Sequence, residues 1–343
     1  IERDKMGGDC LNYGCVPSKA LLAAAHAAET ARTSNRFGIE AGNLSIDGKS
    51  VFDHVQSAID EIAPHDSVER FEEYGVNVIL GEGKFSGPKE ITVGEQKISA
   101  RWIVVATGSG PLVPPIPGLD ATPHFTNETI FNQSGIPDHL IVLGGGPIGI
   151  ELAQAHRQLG ARVTVLEMAA MLPNDDPAAV EIVRAQLVEE GITLREGVKV
   201  VATAETVEGV SVSVESEAGS ENILGSHLLI AAGRRPHLAN LELATAGIDY
   251  TPQGIKVDIR LRTTNKKVFA IGDVAGGHQF THIAGYHAGI VIRNILFRLP
   301  AKINQAAYPW VTYTTPELAQ VGLTEQAARD QALKFRVINW PFA

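Results

Sequence analysis

One turn constrains this chain more than any other stretch. The apolar run 140–143 ends in Gly144-Gly145-Gly146-Pro147-Ile148-Gly149, a helical pattern follows over 148–159, and a second apolar run spans Arg162–Leu166. A G-x-G-x-x-G turn by itself says little, because glycine-rich turns are common. Between a buried strand and a helix, with the acid Glu167 closing the next strand 18 residues after Gly149, it has the setting of a dinucleotide-binding βαβ unit. Gly144 makes the turn, Gly146 lets a pyrophosphate approach the backbone, and Gly149 lets helix and strand close together. Pro147 and Ile148 open the helix, whose N-terminal N–H groups favour phosphate charge. Glu167 is placed to accept the hydroxyls of an adenosine ribose. It repels a 2′-phosphate, and Met168-Ala169-Ala170 offers no arginine to receive one, so NAD(H) is expected over NADP(H). The bland alternative is a plain βαβ turn.

Around that unit the pattern keeps alternating, which predicts an α/β fold. Helices are expected over 17–33 and 49–74, and short strands over 76–80, 84–85, 90–93 and 97–99. The run 102–106, ending in Thr107-Gly108, reads as a buried parallel strand. The Pro-rich segment 111–117 then breaks regular structure. A helix over 180–190, an apolar run at 228–232, a buried strand at 268–271 and a helix over 282–296 follow. A strand at 310–314 and a helix over 324–332 open a last unit.

Charge narrows the partners. Lys plus Arg is 29 and Asp plus Glu is 39, a formal net charge of −10. A surplus of acid repels phosphate, which argues against nucleic acid and against anionic lipid. No stretch approaches the roughly 18–20 apolar residues of a membrane helix, so no membrane partner is expected. The chain opens on Ile1-Glu2, which reads as the end of a strand in progress, with no leader pattern ahead of it. The expectation is a piece of a larger cytoplasmic protein.

Both of the chain's two cysteines lie in Gly7-Gly8-Asp9-Cys10-Leu11-Asn12-Tyr13-Gly14-Cys15-Val16-Pro17-Ser18-Lys19. A disulfide-stapled scaffold would need more of them, spread along the chain. Four intervening residues allow a disulfide if the loop curls, and the glycines permit that. Cys15 stands at the start of the first expected helix, where the helix dipole favours a thiolate. Lys19 is one turn along and shares that face. A thiolate beside a cation at a helix start is a redox or nucleophilic site. The alternatives are a structural disulfide or two buried thiols acting as small hydrophobes. A zinc site lacks a second Cys or His pair at ligand spacing.

The run from Gly7 to Lys19 resembles the redox-disulfide signature of the pyridine nucleotide-disulfide oxidoreductases, the group that contains dihydrolipoyl dehydrogenase, mercuric reductase and glutathione reductase. The resemblance extends over nearly the whole chain, to Tyr313-Thr314-Thr315-Pro316-Glu317 and Val321-Gly322-Leu323-Thr324-Glu325. It implies two Rossmann-like domains, binding FAD and NAD, plus the start of an α+β dimerisation domain. The implied boundaries are 1–118 for the FAD domain, 119–243 for the nucleotide domain, 244–306 for a returning segment of the FAD domain, and 307–343 for the dimerisation domain.

By the same resemblance, Cys15 lies against the flavin and Cys10 exchanges with the acceptor, while Lys19 pairs with Glu151 beside the flavin. From the residues alone, Glu151 reads as a charge in the first turn of its helix. The implied FAD residues are Glu2, Gly8, Gly14, Lys19, Gly83, Thr107, Gly108, Ser109, Gly272 and Asp273, with the helix start Gln279-Phe280-Thr281-His282. The nucleotide set is Gly144, Gly146, Pro147, Ile148, Gly149, Glu151, Glu167, Val200 and Gly233. Asp9 departs from the family's usual threonine, and Pro147 replaces a tyrosine found in several members. His278, His282 and His287 have no partner at ligand spacing, so no metal site is expected.

These readings lead to an enzyme that passes electrons between NAD(H), FAD and the Cys10–Cys15 pair. Its acceptor would be a small-molecule or protein-bound disulfide or dithiol, or mercuric ion. The full-length form would be a homodimer. None of the eleven histidines matches the family's C-terminal His-Glu acid/base pair, and no first glycine fingerprint precedes Glu2. The rival reading is therefore a catalytically incompetent nucleotide-binding fragment that holds NADH but retains FAD poorly.

Overall fold

The computed structural model describes residues 1–341. Four parallel strands form the central sheet, in the order His227–Ile230, His139–Leu143, Arg162–Leu166, Thr193–Arg195. Side chains alternate along a strand, and here both faces are covered, which is why these strands read as unbroken apolar runs. Leu140, Val142, Val163 and Val165 pack with Leu21 and Ala25 of the helix Cys15–Arg32 and with Ile150 and Ala153 of the helix Pro147–Gln158. On the other face, Ile141, Leu228 and Ile230 meet Val210, Val212 and Val214. Those valines belong to an antiparallel sheet of Lys199–Thr206, Gly209–Ser216 and Gly219–Gly225.

A second core forms where Ile103–Val105 pairs in parallel with Val268–Ala270, and Phe85, Ile255 and Val274 close around it. The chain leaves this unit after Val105, builds the central sheet, and returns to complete the pairing. The outward and returning chains run side by side, Ser109–Pro111 antiparallel to Arg234–Pro236. The helix Thr281–Ile295 follows the returning strand. A hairpin of Pro309–Thr312 and Leu318–Val321 comes next, and Thr324 caps the short helix Glu325–Asp330. Residues 342 and 343, the end of the expected last unit, lie outside the described residues. No described helix is long and apolar enough to cross a membrane.

Four local expectations need correction. The helix expected over 49–74 is three pieces, Gly48–Ile62, Ala63–Asp66 and Val68–Glu73. Pro64 cannot supply a backbone donor, and Ser67 restarts the helix by accepting from the Arg70 N–H. The strand expected at 76–80 is reduced to Leu80 bridging Glu2. The first long helix begins at Cys15, two residues before Pro17, and a further short helix, Gly8–Asn12, fills the loop between the cysteines. The nucleotide-side helix begins at Pro147, which puts Glu151 just beyond its first turn.

His156 is fully buried on that helix, and its Nδ1 lies 2.8 Å from the Leu152 carbonyl, to which a neutral imidazole donates. Burial pushes its pKa down from 6.5 to about 4. Between those values the unfolded chain takes up a proton that the folded chain refuses. The stability contributed by this group is thus present above pH 6.5 and is lost as the pH falls to 4, by about 3 kcal/mol at most. His156→Gln should make the urea midpoint fall less steeply between pH 6.5 and 4.5. An unchanged slope would contradict the assignment.

Candidate functional site

A single cleft of ≈ 2130 Å³ runs between the two units and takes its lining from both cysteines, Lys19, Ser109, Asp273, the glycine turn, Glu167 and the hairpin at Trp310. The helix starts at Cys15, Pro147 and Thr281 and the strand ends at Leu143 and Leu166 are among the elements that face it.

The cysteines are brought together by the short helix. Asn12 Nδ2 donates to the carbonyls of Met6 (3.0 Å) and Gly8 (2.8 Å), which fixes the loop. Gly14 packs closely on the loop: a Cβ would lie 2.9 Å from Asp9 Oδ2 and 3.0 Å from the Asp9 carbonyl, so a side chain there would have to displace both. Cys10 is half-buried, Cys15 is exposed to the cleft, and both are free thiols. Cys15 is the first residue of its helix, where unpaired N–H groups favour negative charge. Its Sγ lies 3.2 Å from Thr281 Oγ1.

The two sulfurs are pulled in opposite directions. Cys15 drops to about 6, first because the Cys10 thiol donates to it, then through Thr281 and the Lys19 cation, against the opposition of burial and Asp9. Cys10 is pushed well above the ordinary thiol range, because it is the donor of that bond and is partly buried. The reduced pair is therefore one thiolate and one thiol at neutral pH.

Lys19 Nζ lies 2.8 Å from Glu151 Oε2. Glu151 is buried, and its other oxygen accepts the Tyr313 N–H at 2.9 Å. One turn further along, Gln154 accepts from the Thr315 N–H (2.8 Å) and donates to the Thr315 carbonyl (2.9 Å). One helix face thus grips the chain just after the hairpin's first strand. Its charge is balanced by Lys19 and Tyr313 rather than by the helix terminus.

Asp273 stands in the turn after the returning strand and accepts the Ser109 hydroxyl at 2.6 Å. Arg234, whose side chain is 10% exposed, ties this corner together. Its Nε donates to Ser109 Oγ (2.8 Å), its Nη2 donates to the Ser109 carbonyl (2.8 Å), and Nη2 lies 3.1 Å from Asp9 Oδ1. Thr107 Oγ1 donates to the His237 carbonyl. Gly108 (φ +66°), Gly233 (φ +119°) and Gly272 (φ +66°) hold conformations that favour glycine. Gly8, the first residue of the short helix, and Thr107 do not line the cleft themselves but adjoin residues that do.

At the glycine turn, a Cβ on Gly144 would lie 2.3 Å from the Ala231 carbonyl, and one on Gly149 would lie 2.1 Å from the Gly144 carbonyl. Nothing lies within 4 Å of a Cβ on Gly146, so the helix start is open to the cleft at that point. This cradle fits a pyrophosphate. Glu167 is oriented by the N–H groups of Gly145 (2.7 Å) and Ala169 (2.8 Å) and keeps lone pairs for a ribose.

The remaining expected residues are placed differently. Gln279, Phe280 and Thr281 line the cleft, and His282 Nε2 lies 2.7 Å from the Pro309 carbonyl. His287 Nδ1 accepts the Gly272 N–H, and the His278 ring stacks on Trp310 at 5.7 Å. Pro147 and Ile148 line the cleft at the turn. Glu2, Gly83 and Val200 do not line it. Glu2 bridges Leu80, Gly83 lies against Ile1, and Val200 packs on the core under the antiparallel sheet.

Sequence reasoning gave no role to Arg234, Asp9, Tyr313 or Trp310, whose Nε1 donates to Asp175 Oδ1 at 2.7 Å. Tyr313 opens a stretch that carries the resemblance, and Arg234 follows the expected nucleotide residue Gly233. Only their partners, far away in sequence, give them a purpose.

Comparison with known proteins places this geometry in context. Residues 1–288 match the pyridine nucleotide-disulphide oxidoreductase family, and residues 308–343 match the dimerisation domain of the same group. A mercuric reductase of Bacillus cereus is 35% identical over 99% of this chain and 54% of its own length. A dihydrolipoyl dehydrogenase of Geobacillus stearothermophilus is 32% identical over 100% of this chain and 74% of its own. The HOCl-induced flavoprotein disulfide reductase RclA of Escherichia coli, solved as its Cu(II) complex, superimposes with a TM-score of 0.84 at 29% identity, covering 96% of this chain and 73% of that one. The chain spans between about half and three quarters of the length of these relatives.

Proposed function

Because the chain belongs to the pyridine nucleotide-disulphide oxidoreductase family, which uses FAD and a pyridine nucleotide, we propose that it is a disulfide oxidoreductase in which Cys10 and Cys15 are the redox pair. The observation that carries this reading is that Cys15 opens a helix with Thr281 Oγ1 3.2 Å from its sulfur and Lys19 one turn along, while Cys10 is half-buried, in a cleft shared with the glycine turn. When bound, the flavin would supply the centre that takes a hydride from the nicotinamide and passes the electron pair on.

The chain's own residues would do the rest. Thr107, Gly108, Ser109, Gly272 and Asp273 would hold the flavin's ribityl and phosphate groups, and the start of the Thr281 helix would face its ring. Gly144, Gly146 and Gly149 would hold the nucleotide pyrophosphate. Lys19, kept in place by Glu151, would bring positive charge to the thiolate side. With a disulfide acceptor, the Cys10 sulfur forms a bond to one acceptor sulfur as the acceptor S–S bond breaks, and its proton moves onto the Cys15 thiolate or the departing sulfur. Cys15 sulfur then bonds to Cys10 and releases the second acceptor sulfur. One protein disulfide, one acceptor thiol and one acceptor thiolate result, so the pair's single proton and single negative charge both pass to the acceptor. We assign the segments 1–118 and 244–306 to flavin binding, 119–243 to the nucleotide and 307–343 to dimer contact. The acceptor is a disulfide or mercuric ion, a dithiol is the electron donor in the reverse direction, and the cytoplasm is the compartment.

Acceptor-dependent oxidation of NADH by the flavin-reconstituted protein, with oxidised lipoamide or a mercuric salt, is the expected result. Binding of NADH without such oxidation would leave only a nucleotide-binding chain. NADH should bind at least about tenfold more tightly than NADPH, the equivalent of ~1.4 kcal/mol of repulsion between Glu167 and a 2′-phosphate. Glu167→Gln should narrow that ratio in calorimetric titrations. Equal affinity in the unsubstituted protein would contradict the preference.

A further inference from the structure

Lys19 is held on two sides. Glu151 Oε2 is 2.8 Å from its Nζ, and the centroid of the Tyr313 ring is 4.3 Å from the same nitrogen. A cation over an aromatic face is attracted by the ring's quadrupole. Tyr313 comes from the hairpin unit, and its backbone N–H also holds Glu151 at 2.9 Å. Packing does not explain the ring, which remains 43% exposed, and its hydroxyl makes no hydrogen bond among the described residues.

We infer that Tyr313 is a positioning residue: its ring keeps the Lys19 ammonium beside Cys15, so that docking of the hairpin unit helps to set the charge on the redox thiol. The inference rests on the reading of Cys15 as the charged member of the pair. The groups that face Cys15 are the Cys10 thiol and Asp9 carboxylate from the short helix, Lys19 from its own helix, and the Thr281 hydroxyl from the helix after the returning strand. Glu151 acts through Lys19. Of these, Lys19 is the cation that Tyr313 touches. Because the N–H to Glu151 belongs to the backbone, a change of side chain at position 313 removes the ring and leaves that bond.

The test is the pH dependence of Cys15 alkylation by iodoacetamide, with the labelled sulfur located by fragmentation mass spectrometry. Each rate at pH 6.5 is referred to the same protein at pH 9.5. Tyr313→Phe should match the unsubstituted protein, because the aromatic face remains. Tyr313→Leu should slow the reaction at pH 6.5 by about twofold to threefold and raise its midpoint, as expected from loss of an exposed cation–π contact. Pentafluorophenylalanine placed at position 313 keeps the ring's size and reverses its quadrupole, so it should slow the reaction in the same way without leaving a cavity. This third variant decides the matter if Tyr313→Leu does not fold.

If Tyr313→Phe slows the reaction as much as Tyr313→Leu does, the side chain is structural and the inference falls. It falls equally if neither leucine nor the fluorinated ring moves the midpoint. The underlying reading is tested separately by Cys15→Ser, which must abolish the alkylation phase with the low midpoint. Persistence of that phase would overturn the assignment of Cys15 and not the geometry around Lys19.

Discussion

Replacing Cys15 by serine is expected to reduce acceptor-dependent NADH oxidation by roughly a thousandfold or more, the scale on which removal of a reacting nucleophile acts. Cys10→Ser should cost as much, because neither sulfur alone can close a disulfide. The two variants should nevertheless differ in their remaining thiol. In Cys10→Ser, the serine hydroxyl can still donate to Cys15, Thr281 Oγ1 still lies 3.2 Å away, and Lys19 still faces it, so Cys15 should stay acidic and quick to alkylate. In Cys15→Ser, Cys10 loses the thiolate that it hydrogen-bonds, and its pKa should fall toward that of an ordinary cysteine. Alkylation rates at pH 7 measure both. Equal reactivity of the two lone cysteines would contradict the asymmetry on which the proposed function depends.

The second large effect is expected at Gly149. A methyl group there would lie 2.1 Å from the Gly144 carbonyl, a backbone atom that cannot swing aside as the end of a side chain can. Gly149→Ala must push the helix Pro147–Gln158 away from the sheet, and overpacking of this kind costs about 1–3 kcal/mol. The same shift carries away the N–H groups meant for phosphate, so NADH affinity should fall by at least about tenfold, ~1.4 kcal/mol. Gly146→Ala is the informative companion. Nothing lies within 4 Å of its Cβ, so stability should be unchanged while NADH affinity still falls, because the methyl occupies the approach to the helix start. Thermal denaturation and calorimetric titration separate the two. Normal NADH binding by Gly146→Ala would contradict the placement of the pyrophosphate.

Much of this arrangement was legible in local pattern. The glycine turn, its strands and its helix lie within one short stretch, and the residues that fix it are neighbours in sequence. The cysteine pair was equally plain, since helix start, cation and thiols fall within Gly7–Lys19. What remained hidden depends on pairs far apart along the chain. Arg234 joins Asp9 to Ser109, and Tyr313 joins Lys19 to Glu151. No periodicity reports such a contact. The helix expected over 49–74 is broken because Pro64 interrupts the apolar rhythm that would otherwise carry it through. The strand expected at 76–80 failed because a strand needs a partner, and pairing there is limited to the bridge from Leu80 to Glu2. Glu151, read from its neighbours alone, is a first-turn charge; it lies just past that turn and pairs with Lys19, as the resemblance implies.

The central claim is that electrons from NADH arrive at Cys10 and Cys15. Anaerobic addition of one equivalent of NADH to the flavin-loaded, oxidised protein, followed by a thiol count, tests it most directly. One hydride with one proton should convert one disulfide into two thiols per chain, and mass spectrometry should locate both new thiols at Cys10 and Cys15. Consumption of NADH with no gain in thiols would contradict the account.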